Sequence, residues 1–146
     1  YYTQYIRFNA LSDHIKGMGV THILIDTAKQ NIAGFITLRA TSLVSEGTDK
    51  IKLVEPAIEI AELAVDAKYE RQGIGSALIG IAIDVSDELR KKVIGIRHIV
   101  VCADKSAIEF YKKLGFGELS SLYEVLHDGW NDDCDPLYIT LPECSV

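Results

Sequence analysis

The sequence predicts a mixed α/β fold, a sheet with helices on its faces. Three observations carry this. Short apolar segments with strand character recur along the chain, amphipathic helical spacing separates them, and the elements follow one another as α, β, β, β, α, β, α, β.

Each element has its own signature. Residues 5–17 carry Ile6, Phe8, Leu11 and Ile15 at a loose helical spacing that ends at Gly17 and Gly19, which predicts one or two short helices. "THILID" (21–26) and "IAGFITLRATSLV" (32–44) flank the polar turn "TAKQN" and predict an antiparallel hairpin. "SEGTDKIKLVEP" is expected as a loop closed by Pro56, followed by a strand over 58–65. The apolar alternation of that strand changes phase between Ile60 and Leu63. Helical periodicity then runs from 76 to 93, with Ala77, Leu78, Ile81, Ala82, Val85 and Leu89 on one face and Gly95 as the stop. "RHIVVCA" (97–103) is the nearly continuous apolar run of a strand covered on both faces. "SAIEFYKKLGF" is a short helix with Ile108, Tyr111 and Leu114 together and Gly115 as its C-terminal stop. A long polar loop, "SSLYEVLHDGWNDDCDP", and a last strand over 137–141 complete the chain.

Composition narrows the class. A length of 146 residues with 48% hydrophobic and 25% charged residues suits one soluble globular domain, and no repeat, low-complexity tract or linker divides it. No apolar run approaches the roughly 18 residues that span a bilayer, and "YYTQYIRFNA" lacks a signal-peptide layout. A cytoplasmic location without membrane association is expected. The three cysteines, Cys102, Cys134 and Cys144, form no C-x-x-C pair and are expected as reduced thiols. A net charge of −6 argues against a general nucleic-acid binder, because such affinity comes from neutralising phosphates with Lys and Arg. The cluster Arg90, Lys91 and Lys92 is expected to complement the negative end of a helix dipole. No metal is expected: the histidines are scattered, His98 reads as a core residue, and "NDDCDP" (131–136) lacks a calcium-loop spacing.

Gly73 and Gly75 stand where a strand becomes a helix. The free N–H groups of a first helical turn bind anions there, and glycine lets an anion approach the backbone. Arg71 can add a charge and Ser76 a hydroxyl. The dinucleotide fingerprint fails because Leu78 stands where a third glycine is needed, and no Lys-Ser/Thr follows as in a phosphate loop.

"LAVDAKYERQGIGSALI" (63–79), followed by "ADKSAIEFYKKLGF" (103–116), resembles the core of the GCN5-related N-acetyltransferases (GNAT). The resemblance covers the chain from Ile58 to the last strand, and the hairpin before it fits the same topology. It implies a mostly antiparallel sheet in which strands 58–65 and 97–103 run parallel and splay apart to bind acetyl-CoA. It implies a single domain over 1–146, with the family's usual first strand missing or supplied upstream of Tyr1.

Carried onto these positions, the resemblance assigns Leu63, Ala64 and Val65 to backbone pairing with the pantetheine arm, beside a bulge compatible with the phase change. Arg71, Gln72, Gly73, Ile74, Gly75 and Ser76 match the turn that donates N–H groups to the pyrophosphate. Glu70 departs from the family's Gln or Arg; Arg71 compensates or Glu70 turns to solvent. Tyr111 matches the general acid that protonates the coenzyme A thiolate. Asp104 replaces a common asparagine and is equally an N-terminal helix cap. Glu59 matches the general base of histone-acetylating members, and Glu62 is a second candidate. An odd spacing puts the two on opposite faces of a regular strand, and water is an alternative base. Trp130 and its acidic neighbours can shape an entrance that attracts cationic amines.

The expected function is acetyl-CoA-dependent N-acetyl transfer to a primary amine of a small molecule or protein. "YIRFNALSDHIKGMGVTHILI" is also similar to the toxin branch that acetylates aminoacyl-tRNA, in which case tRNA is a partner. A non-catalytic CoA-binding module is the alternative of another class. A homodimer is left open.

Overall fold

The structure, a computed structural model, describes residues 1–124 and 133–145. Among these residues six strands form one sheet in the order β1-β2-β3-β4-β6-β5: β1 (Val20–Asp26), β2 (Asn31–Glu46), β3 (Lys52–Val65), β4 (His98–Asp104), β5 (Gly117–Glu118) and β6 (Cys134–Thr140). The sheet is mostly antiparallel, β3 and β4 form its parallel pair, and helices flank it. The mixed α/β class and the parallel pair therefore hold. The backbone divides into two compact units, Tyr1–Arg39 with Ile60–Val85, and Ala40–Glu59 with Ser86–Val146.

In the first unit, α1 (Tyr2–Gln4), a π-helical segment (Tyr5–Asn9) and α2 (Ala10–Ile15) form one continuous helical stretch. The π segment widens the turn and rotates the phase. Tyr5 and Ala10 therefore pack with Phe35, while Phe8, Leu11 and Ile15, expected on the apolar face, are exposed, Phe8 by 74%. Tyr5 stacks on Phe35 at 5.9 Å between ring centroids. Strands β1 and β2 pair from Val20↔Leu38 to Asp26↔Asn31 with a bulge between Leu24 and Ile25. Residues 33–38 of β2 are buried without a break, so both faces of the strand are covered there. Gly34 marks the tightest approach: a β-carbon built on it would lie 2.8 Å from Ala64 O and 3.1 Å from both Ile74 and Leu78 side-chain carbons.

In the second unit, β4 pairs antiparallel with β6 from His98↔Thr140 to Asp104↔Cys134. This register joins Cys102 to Cys134 in a disulfide with a Cα–Cα distance of 5.4 Å, which corrects the expectation of reduced thiols. The bridge links residues 32 positions apart, so only strand pairing brings them together. Cys144 is free and exposed. Two boundaries also move. β3 starts at Lys52 and runs through Pro56, because a strand tolerates proline where no N–H is required; Pro56 O instead accepts from Arg97 N–H at 2.8 Å. β6 starts at Cys134, inside the expected loop.

Helix α3 (Ile74–Lys92) buries Leu78, Ile79, Ala82 and Ser86. Ala77 is exposed, so the buried stripe lies one residue round from the expected one. Arg90 and Lys91 pair with Asp87 and Lys92 with Glu88, which with the helix end accounts for this basic cluster. Helix α4 (Ile108–Lys113) ends in the predicted glycine cap. Gly115 takes φ 96, with Phe116 N–H donating to Tyr111 O and Gly115 N–H to Lys112 O. No helix among the described residues is long and apolar enough to cross a membrane.

Candidate functional site

The first unit builds the glycine turn step by step. Strand β3 ends at Val65, and Asp66 N–H donates to Ala33 O at 2.9 Å, which fixes the exit of the strand. The Asp66 carboxylate accepts from Lys68 N–H at 2.8 Å and caps a single 3-10 turn over Ala67–Tyr69. Tyr69 is buried and donates its hydroxyl proton to Asp26 Oδ2 at 2.8 Å. Each group shifts the other: the Tyr69 hydrogen bond is the main cause holding the Asp26 carboxyl below its usual range, and Asp26 pushes the Tyr69 phenol up.

Two left-handed residues follow, Arg71 with φ 60 and Gly73 with φ 78, separated by Gln72. Alternating backbone handedness of this kind turns successive N–H groups to one side and forms an anion-binding concavity. Helix α3 begins directly behind it at Ile74. Ala77 N–H already bonds Gly73 O at 3.0 Å, while the amides of Ile74, Gly75 and Ser76 are among the first-turn donors that a helix cannot satisfy itself. Among the described residues, and apart from Gly73 and its two chain neighbours, no atom lies within 4 Å of a β-carbon built on Gly73, so the space above the turn is open. Arg71, Gln72 and Gly73 are all exposed, and Glu70 is exposed too.

That combination is what the sequence matches as well: residues 3–116 fit the acetyltransferase (GNAT) family. The chain belongs to that family. A 60-residue stretch is 42% identical to an uncharacterized N-acetyltransferase, MJ1207, of Methanocaldococcus jannaschii, covering 41% of this chain and 26% of that protein's length. The chain thus spans about a quarter of this curated relative. Among solved structures, AtaT complexed with acetyl-methionyl-tRNAfMet superposes with a TM-score of 0.74 at 22% identity, over 93% of this chain and 79% of that one. AtaTR bound with AcCoA gives 0.69 at 22% identity, over 94% and 76%. At these identities the likeness is one of GNAT fold.

The remaining GNAT motif positions fall as follows. In the first unit, Leu63, Ala64 and Val65 are half-buried at the end of β3, and Ala64 packs against the Tyr5, Ala10 and Phe35 cluster. Glu62, on the same stretch, accepts a hydrogen bond from Tyr1 Oη at 2.8 Å, which pushes the Tyr1 phenol up to about 12. In the second unit, Glu59 is buried, only 4% exposed, which is exceptional for a carboxylate and marks it as partnered. Tyr111 is 5% exposed on α4, its ring edge-on to Phe110 at 5.1 Å and to Phe116 at 5.5 Å. Asp104 occupies the cap position of the 3-10 turn Lys105–Ala107, but its side chain makes no capping hydrogen bond there. Trp130, Asn131 and Asp132 lie outside the described residues. Among the described residues no group of three or more His, Cys, Asp or Glu side chains is arranged to hold a metal ion.

Sequence reasoning did not anticipate a polar cluster in the second unit. His98 is 2% exposed, exchanges a hydrogen bond with Thr140 Oγ1 through Nδ1 at 2.9 Å, and holds Nε2 at 3.6 Å from Glu55 without a hydrogen-bond partner among the described residues. Tyr123 Oη donates to Glu55 at 2.6 Å and Arg97 pairs with Glu55 at 3.0 Å. Burial holds the His98 imidazole below its ordinary pKa, and Tyr123 leads the causes that hold Glu55 below its own. The continuous apolar run of β4 signalled a buried position 98, but its partners come from β3 and β6.

Proposed function

We propose that the chain is an acetyl-CoA-dependent N-acetyltransferase that acts on a primary amine of a small molecule or protein. The observation that carries this reading is the left-handed pair Arg71 and Gly73 in front of the unsatisfied first turn of α3, with open space above Gly73. Its donor set fits a diphosphate: backbone N–H groups over 72–76, the Ser76 hydroxyl and the Arg71 guanidinium, with Glu70 exposed to solvent. The backbone of Leu63, Ala64 and Val65 binds the pantetheine arm, and Asp104 belongs to the same binding set. The thioester of the coenzyme supplies the acetyl group, and its departing thiolate requires a proton.

The chain's own groups then divide the proton work. Tyr111 holds a proton at Oη for the leaving sulfur, with its ring fixed by Phe110 and Phe116. Glu59, or Glu62 under its Tyr1 hydrogen bond, takes a proton from the acceptor's ammonium, directly or through water, and so frees the neutral amine that attacks the thioester carbonyl.

A second reading names the acceptor as the amino group of an aminoacyl-tRNA. The fold likeness to AtaT complexed with acetyl-methionyl-tRNAfMet favours it, and the net charge of −6 weighs against holding a polyanion. A screen of small amines, peptides and charged tRNAs against acetyl-CoA, read as release of free thiol, separates the two acceptor classes. Binding without turnover on any acceptor would favour the non-catalytic CoA-binding module. The nucleotide site is tested by Gly73→Ala. The added methyl enters the open space at a φ that L residues rarely adopt, and we expect at least a tenfold loss of acetyl-CoA affinity by calorimetry. A folded variant with wild-type affinity removes the diphosphate assignment.

A further inference from the structure

Glu70 stands where a cation would help an anionic coenzyme, yet the structure brings a cation to the same turn from a distant part of the chain. The turn between β1 and β2 is held against Tyr69, at the entry to the glycine turn. Asp26 makes the join: its Oδ2 accepts from Tyr69 Oη at 2.8 Å, while its Oδ1 accepts from Ala28 N–H at 3.1 Å and Lys29 N–H at 3.2 Å. Gln30 closes the turn with φ 53. Lys29 then lays its ammonium over the Tyr69 ring, with Nζ 5.9 Å from the centroid.

We propose that Lys29 is an anion-binding residue of the coenzyme A site and takes one of the coenzyme's phosphate groups. This rests on the nucleotide site proposed above. Three features support it. A ring face attracts the ammonium through its quadrupole but engages its N–H donors far less than a carboxylate would, so the cation is positioned and still able to bind an anion. Tyr69 lies four residues before Gly73, so the ring that positions the ammonium belongs to the segment leading into the same turn. Lys29 also sets the local charge: with Lys68 and Arg71 it offsets Asp26, Asp66 and Glu70, so without it the turn would be net acidic toward an anion, and the Asp26 oxygens are already held by three donors. The lysine is thus a part of the site that no local motif contains, because its position depends on a tyrosine 40 positions away in the chain.

Coenzyme A offers two phosphate sources, the diphosphate and the 3′-phosphate ester, and one experiment distinguishes them. Acetyl-CoA and acetyl-3′-dephospho-CoA are titrated calorimetrically, at low salt, into the wild-type chain and into Lys29→Met, Lys29→Arg and Lys16→Met. Lys16 is an exposed lysine of the same unit and controls for the general electrostatic field. Lys29→Met is expected to weaken acetyl-CoA roughly three- to tenfold, as for a partly exposed charge-assisted contact, with Lys29→Arg retaining most affinity and Lys16→Met unchanged. A loss confined to acetyl-CoA assigns Lys29 to the 3′-phosphate, and an equal loss with both ligands assigns it to the diphosphate. The proposal is overturned if Lys29→Met binds both ligands as the wild type does, or if Lys16→Met loses as much. A wild-type chain that binds neither ligand overturns the nucleotide site itself, a result distinct from the failure of Lys29 alone.

Discussion

Gly34→Ala is the substitution for which the structure yields the most direct magnitude. The new β-carbon would stand 2.8 Å from Ala64 O, and a comfortable carbon-to-oxygen contact needs about 3.3 Å, so a gap of about half an ångström must open. The obstacle cannot rotate away, because Ala64 O belongs to the backbone of β3. The other two neighbours, Ile74 Cγ2 and Leu78 Cδ1, each at 3.1 Å, belong to the first turns of α3. Overpacking of this kind costs about 1–3 kcal/mol. For a chain of this size that lowers the melting temperature by roughly 3–10 °C. Because the clash pushes on both β3 and Ile74, the first residue of α3, acetyl-CoA affinity is expected to fall with stability. Thermal unfolding followed by circular dichroism, with calorimetric titration on the folded variant, reads both. A Gly34→Ala protein that melts with the wild type and binds acetyl-CoA equally would refute the close approach of β2 to the end of β3 and to α3.

Tyr111→Phe keeps the packing against Phe110 and Phe116 and removes only the hydroxyl; once an acceptor is known, turnover is expected to drop roughly 10- to 1000-fold with acetyl-CoA affinity nearly intact. Wild-type turnover, with chemistry shown to be rate-limiting, would make Tyr111 a packing residue. Stability should fall in mild acid through His98. Its folded pKa lies below the ordinary 6.5, so below about pH 6.5 the unfolded chain binds a proton that the folded chain refuses. The stabilisation is therefore complete above pH 6.5 and lost as pH falls toward the folded pKa; Glu55, also depressed, adds a further loss below about 4.5. Melting temperatures between pH 7 and 5 should decline less steeply in His98→Asn, and parallel declines would exclude His98 as the titrating group. Ser86 is fully buried, with its hydroxyl unpartnered among the described residues, so Ser86→Ala should raise the melting temperature by a few degrees, equivalent to about 1 kcal/mol. A clear drop instead would reveal a hydrogen bond to that hydroxyl.

What could be read from the chain alone is what neighbouring residues decide among themselves. Hydrophobic period and turn residues announced the order of the main elements, and the glycine stop of α4 appears where "KKLGF" put it, with Gly115 at φ 96. The turn before α3 was equally legible, because left-handed backbone at Gly73 and free amides behind it are local demands with a local signature. Other features depend on segments far apart in the chain. The π segment that turns Phe8, Leu11 and Ile15 to solvent is paired with the fit of Tyr5 and Ala10 on Phe35, a residue of β2. The disulfide needs the register Asp104↔Cys134, and the two-residue β5 exists only as a partner of β6. The buried stripe of α3 shifts by one residue to take in Ile79, and Gly34 looks interchangeable with alanine until Ala64 O is placed 2.8 Å from its missing side chain. Lys29 has no motif at all, and Tyr69 gives it a position. A residue's backbone preferences travel with its neighbours, whereas register, close approach and charge placement are set by which distant segments pack together.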